Sequence, residues 1–208
     1  MFHTEKDKIV TAEPALKGRD GYLFQLGAHH VFSEPMTDIE RYPNQLILGM
    51  GCFWGAERLF WQAKGVLLTA VGYAGGSTPF ATYNEVCTGK TGHTEVVAVA
   101  YNPEIVSLDE LLTIFWESHD PTQGMRQGND IGTQYRSALY LSSIDDLKQA
   151  EESKTVFQNK LNSSGFGDIS TEVAMIDKFY FAEPEHQQYL DKNPAGYCGL
   201  KGTGVTCI

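Results

Sequence analysis

No stretch of this sequence approaches eighteen consecutive apolar residues, so a helix that crosses a bilayer is not expected. The first twenty residues, MFHTEKDKIVTAEPALKGRD, mix charges of both signs and lack the apolar centre of a signal peptide, which makes a cytoplasmic location the expectation. Basic residues are scarce. Sixteen Lys and Arg stand against 26 Asp and Glu, and a net charge of -10 repels phosphate backbones and anionic lipid, so neither nucleic acid nor membrane is an expected partner. Cysteine is scarce too. Cys52, Cys87, Cys198 and Cys207 include no C-x-x-C pair and no close Cys or His companion of the kind zinc sites use, so no metal is expected. In a reducing compartment any disulfide among them is expected to be transient and catalytic.

What is present suits one globular domain over 1–208, with a hydrophobic fraction of 42% that argues against wholesale disorder. Residues 1–44 have no sustained period and are punctuated by Pro14, Gly18, Gly21, Gly27, Pro35 and Pro43, and read as an arm over the surface. The core is placed at 45–178. Strand QLILGM leads through a Gly-bracketed turn into a helix to about Lys64, with Ala56, Leu59, Phe60 and Ala63 on its buried face. Strand VLLTAVGYA, a helical turn near Tyr83 to Cys87 and strand TEVVAVAYN follow. Ser107 and Glu110 form a capping box for a helix to Ser118, with Leu108, Leu111, Leu112 and Phe115 inward. Strand RSALYL, a long helix over 144–162 and strand STEVAMI complete a two-layer α+β sandwich: a mixed sheet with helices on one face, related to the ferredoxin-like plan. Residues 118–135 are long for an unstructured connection and read as a functional loop. Residues 179–208 read as a tail whose glycines at 196, 199, 202 and 204 let it change shape cheaply around Cys198 and Cys207.

The candidate nucleophile is Cys52. A strand running into Gly51, Cys52, Phe53, Trp54 and then a helix places the sulfur near unpaired N–H groups and the positive end of the helix dipole, where a thiolate is favoured. A helix end supplies only about 0.3 to 1 kcal/mol at an exposed site, so a thiol of ordinary pKa near 8.5 stays mostly protonated at neutral pH. A further group has to complete the activation. Glu95 shares a strand face with Val97, Val99 and Tyr101, so a carboxyl stands where burial is expected; desolvation keeps it protonated and fit to donate a proton. An ionised Glu95 would oppose the thiolate, so activation is expected to be coupled to substrate binding. Two other readings stay open on these residues: a cysteine hydrolase using His93, His119 or His186 as base, and a binding module with an aromatic pocket. Cys87 reads as a packing residue.

The segments GCFWGAE, GYAGG, TGHTEVV, QGNDIGTQYRS, HQQYL and GYCG, in that order from about residue 45 onward, resemble peptide methionine sulfoxide reductase of the A type. The resemblance implies thiol-dependent reduction of the S epimer of methionine sulfoxide, free or in oxidised proteins, with no cofactor and with thioredoxin as reductant and partner; a monomer is expected. It implies Cys52 as nucleophile, Phe53 and Trp54 as an apolar wall for the substrate methyl, and Glu95 as acid for the sulfoxide oxygen. Tyr83 and Tyr135 are implied as donors to that oxygen, Asp130 as a group ordering the pocket, and His186 and Tyr189 as further substrate-binding residues. Cys198 is implied as first resolver of the sulfenic acid, and Cys207 as the thiol that carries the oxidation outward.

Overall fold

The computed structural model describes residues 8–9 and 15–207; Pro14, part of the expected arm, lies outside them. In chain order the elements are β1 (Gln45–Met50), α1 (Phe53–Trp61), β2 (Val66–Ala74), α2 (Tyr83–Val86), β3 (Thr94–Tyr101), α3 (Leu108–Ser118), β4 (Arg126–Gln127), β5 (Asp130–Ile131), β6 (Ser137–Leu141), α4 (Ile144–Ser163), β7 (Glu172–Met175), β8 (Phe179–Phe181) and α5 (Tyr189–Lys192). Six strands make one sheet in the order β7-β6-β1-β3-β2-β8. Five of the six belong to antiparallel pairs, and the sheet is mixed because β7 runs parallel to β6.

Alternation along the strands sorts side chains by size. Leu46, Leu48, Met50, Val97, Val99, Tyr101, Leu139 and Leu141 face α1, α3 and α4, whose inner residues Ala56, Phe60, Leu111, Leu112, Phe115 and Phe157 complete the main core. The opposite face carries Ala70, Ala74, Ala98, Ala100 and Ala138, and these small residues let the arm lie close, with Phe24, Leu26, Phe32 and Ile39 packed over them. Helices on one face of a mixed sheet are the expected arrangement; the arm, read only as lying over the surface, packs on the other face. Thr82–Glu85 and Ser107–Glu110 both form complete capping boxes, which fix where α2 and α3 begin.

Three elements differ from the sequence reading. The first helix ends at Trp61, not near Lys64, and the chain turns back through an Ala63 N–H to Phe60 carbonyl bond. Residues 118–135 contain the β4–β5 hairpin followed by a 3-10 turn over Thr133–Tyr135. The tail placed at 179–208 begins with a strand: β8 pairs with the end of β2, Tyr180 opposite Tyr73, and closes that edge of the sheet. A three-residue strand carries too little alternation to be read from sequence.

Candidate active site

β1 ends at Met50, and Gly51 turns the chain with φ +87° into Cys52, the N-cap of α1. Gly51 needs both its freedoms: the left-handed φ, and the space where a Cβ would stand 2.5 Å from the Cβ of Gln127. That contact brings the 118–135 segment over the helix mouth. Gln127 is itself fixed, its Oε1 accepting from the Asp120 N–H and its Nε2 donating to the Asp120 carbonyl.

Glu95, on the helix-facing side of β3, is 2% exposed and opposite Tyr73 in the ladder. Its Oε2 accepts the Phe53 N–H at 3.0 Å, so the carboxyl sits on the first turn of α1 beside Cys52. Burial pushes this acid up to about 8; the Phe53 N–H opposes the shift and Asp130 adds to it. The expected buried, protonated carboxyl is therefore in place. For the thiol, the mostly protonated resting state is the expected one, but the shift has the opposite sense to the small lowering expected from the helix end. Burial, then the neighbouring Glu95, hold the Cys52 pKa far above its ordinary value, and the hydrogen bond from Trp54 N–H offsets only part of this. A helix terminus is a small effect beside desolvation of a nearly enclosed sulfur.

Tyr83 and Tyr135 complete the polar side. Both hydroxyls are half-buried, and burial followed by the charge of Glu95 raises both, so they remain neutral donors. Cys87, read from sequence as a packing residue, is a hydrogen-bond partner of Tyr83 and adjoins this group. Asp130, at the start of β5, accepts the Tyr197 hydroxyl at 3.2 Å, joining the 118–135 segment to the residue before Cys198.

The apolar side is a stack of rings. Trp54 lies on Tyr189 with centroids 3.9 Å apart, and His186 packs on Tyr83 at 4.4 Å, Phe53 at 5.5 Å and Trp54 at 5.9 Å. Among the described residues Trp54 Nε1 and His186 Nδ1 are buried without a hydrogen-bond partner. The two other histidines considered as bases are committed elsewhere. His93 accepts the Gly76 N–H and donates to the Thr78 carbonyl; His119 bonds the Phe115 carbonyl and the Ser137 hydroxyl.

Cys52, Phe53, Trp54, Tyr83, Glu95, Asp130, Tyr135, His186 and Tyr189 thus gather around one helix end, with Cys198 at the edge, its sulfur against Gly55 of α1. Cys207 does not join them. It sits on the groove between α3 and α4, lined by Thr113, Ser153 and Val156, and its N–H donates to Glu117 at 2.6 Å. No disulfide joins any two of Cys52, Cys87, Cys198 and Cys207.

Sequence reasoning missed the supports of the site. Glu57 is wholly buried and accepts from Thr69 and twice from Gln188, anchoring the segment that carries His186 and Tyr189. Glu183 accepts the Tyr73 hydroxyl at 2.9 Å and the Tyr83 N–H at 2.7 Å, setting the start of α2. A carboxylate on the same helix face as Phe53, Ala56 and Phe60 was the available signal for Glu57, by the argument that singles out Glu95.

Among the described residues no group of three or more His, Cys, Asp or Glu gathers in a way that could hold a metal ion, and no helix is long and apolar enough to cross a membrane. A family model described as Peptide methionine sulfoxide reductase matches residues 44–205. Peptide methionine sulfoxide reductase MsrA of Saccharophagus degradans is 56% identical over 204 residues, 97% of this chain and 94% of the relative. The solved methionine sulfoxide reductase A of Corynebacterium diphtheriae superposes with a TM-score of 0.86 at 44% identity, covering 92% of this chain and 93% of that one. Mxr1 from Saccharomyces cerevisiae, solved in complex with Trx2, matches with a TM-score of 0.50 at 25% identity over 77% of this chain and 89% of its own. A buried acid and a cysteine at the mouth of one helix, a stack of rings beside them, and relatives alike over nearly the whole length lead to one conclusion: the chain belongs to the peptide methionine sulfoxide reductase family, in its A type.

Proposed function

We propose that this protein, whose family reduces methionine sulfoxide with thiols, does so through Cys52, with Glu95 as the acid for the sulfoxide oxygen. The observation that carries these roles is the placement of a buried carboxyl, held neutral up to about pH 8, on the same helix turn as the cysteine. The substrate methyl enters among Phe53, Trp54, His186 and Tyr189, and the oxygen lies toward Glu95, Tyr83 and Tyr135, with Asp130 holding the far side of the pocket. Sulfur of Cys52 attacks the sulfoxide sulfur while the oxygen gains negative charge; Glu95 supplies a proton, and the two tyrosine hydroxyls donate hydrogen bonds. Oxygen passes to Cys52 as sulfenic acid, methionine leaves, and the thiol proton replaces the one Glu95 gave.

Cys198 then attacks the sulfenic sulfur, giving a Cys52–Cys198 disulfide and water. Cys207 exchanges into that disulfide, and thioredoxin reduces the final pair; the Trx2 complex of Mxr1 supports the choice of reductant. We place this cycle in the cytoplasm, where a thiol pool renews the reductant. Chiral analysis of residual sulfoxide after incubation with dithiothreitol tests the assignment. Wild type is expected to consume the S epimer and leave the R epimer, and Cys52→Ser to consume neither. Activity retained by Cys52→Ser would overturn it.

A further inference from the structure

The sequence spends a glycine inside the first turn of α1, where glycine is unfavourable relative to alanine by about 0.8 to 1.0 kcal/mol in a helix interior. At Gly51 the backbone gives a reason, a positive φ; Gly55 has none, since its φ is helical. What remains is close approach. A Cβ on Gly55 would stand 2.9 Å from the sulfur of Cys198 and 3.2 Å from the Cβ of Leu200. Both lie in the C-terminal segment, and both distances are shorter than ordinary contacts between such atoms.

Gly55 also occupies the right place on the helix. Cys52 is the N-cap of α1 and Gly55 its third helical residue, one turn on from Cys52, so the two lie near each other on the helix surface. A thiol seated on Gly55 is thereby beside the N-cap sulfur, and Cys198 is among the groups whose charge is felt at Cys52. The rest of the segment is fitted as closely. Tyr197 is tied to Asp130, and a Cβ on Gly202 would meet the Glu117 carbonyl at 1.9 Å.

We propose that Gly55 is a positioning residue for the second step of turnover: its bare Cα is the seat that holds Cys198 within reach of oxidised Cys52. This rests on the roles given above to Cys52 and Cys198. In that step the Cys198 sulfur bonds to the sulfenic sulfur, the S–O bond breaks, and the oxygen leaves as water with the Cys198 proton and the sulfenic proton. Sulfoxide reduction itself does not involve the seat.

Gly55→Ala separates the two steps. With excess methionine sulfoxide and no reductant, quenched samples are scored for methionine released, for dimedone-trapped sulfenic acid and for Cys52–Cys198 disulfide by mass. The alanine variant is expected to release one methionine per chain at close to the wild-type rate, to form disulfide on the order of 100-fold more slowly, the scale of a 1 Å misplacement, and to accumulate trapped sulfenic acid. Its thermal midpoint should not fall, because alanine favours the helix. Disulfide formation within about threefold of wild type would overturn the proposal, as would a loss of folding or of the methionine burst. Cys198→Ser in the same assay tests the underlying reading separately: it should give the burst and no Cys52 disulfide. A Cys52–Cys207 disulfide formed at the wild-type rate in that variant would refute the role of Cys198 itself.

Discussion

The carboxylate of Glu57, on α1, accepts both the main-chain N–H of Gln188 at 2.8 Å and its side-chain amide at 2.7 Å, across 131 residues of sequence. Thr69 donates a third hydrogen bond at 3.1 Å, and His29, whose Nδ1 accepts the Val31 and Phe32 N–H groups, donates to Thr69 through Nε2. Every bond in this chain points toward Glu57. The next residue after Gln188 is Tyr189, which lies flat on Trp54, so this buried acid fixes the ring stack that we propose as one wall of the substrate site.

Glu57→Ala strands those donors without an acceptor. At about 1 to 3 kcal/mol for each buried group left unpaired, a loss of at least about 3 kcal/mol is expected in urea unfolding. Glu57→Gln is not a mild replacement, because its NH2 would face donors. Both variants should raise KM for methionine sulfoxide more than they lower kcat, as the Tyr189 wall loosens.

Glu95→Gln keeps the shape and removes the transferable proton. General acids contribute about 100- to 10,000-fold, and a loss of kcat in that range is expected. The same change removes the charge that opposes the Cys52 thiolate, so the thiol should become more acidic in free enzyme. Ultraviolet thiolate titration checks this. In wild type the titration should move to lower pH when a sulfoxide analogue binds, and an unchanged curve would contradict the coupling of activation to substrate.

Stability should fall as pH rises. Burial lifts Glu57 from 4.5 to about 7 and Glu95 from 4.5 to about 8. Because both folded values are raised, their contribution is complete below pH 4.5 and is lost as pH rises through about 7 and about 8. Glu85 runs the other way. Its hydrogen bonds to Arg19 lower it to about 2, so its contribution is present above pH 4.5 and lost as pH falls toward 2. The urea midpoint is therefore expected to decline between about pH 5 and about pH 9, with a smaller decline in Glu95→Gln.

On the roles proposed above, Tyr83→Phe and Tyr135→Phe each remove one neutral donor to the developing oxyanion. Losing one such donor costs about 100- to 1,000-fold in other enzymes; with two tyrosines and Glu95 sharing the oxygen, each single change should fall at or below the lower end. The double variant should lose more than the product of the singles. Single-turnover methionine release reports this step free of recycling.

Glu117 holds Cys207 away from the site by its N–H, and burial followed by this carboxylate raises the Cys207 thiol. Glu117→Gln keeps an acceptor for that N–H and removes the charge. Exchange from Cys52–Cys198 to Cys198–Cys207 should quicken, while methionine release stays as in wild type. Mass analysis of disulfides through one turnover follows both.

The legible part of this protein is local. Val97, Val99 and Tyr101 alternate with Val96, Ala98 and Ala100, which predicts strand β3 and puts Glu95 on the buried face. Ser107 and Glu110 mark the start of α3 three residues apart. Cys52 stands out because a strand, a glycine and a helix follow one another without interruption. Glu183 gave no such signal, since its partners Tyr73 and Tyr83 are 110 and 100 residues away.

The chain alone determined the longer strands and helices, the position of Cys52 at a helix mouth and the burial of Glu95, because periodicity and capping act over a few residues. Only the tertiary structure decided that Cys198 rests on Gly55 while Cys207 is held on α3, and that Glu57 answers to Gln188. It also decided the sense of the Cys52 shift: enclosure by the whole fold outweighs the helix end, and enclosure is a property of surroundings drawn from every part of the chain.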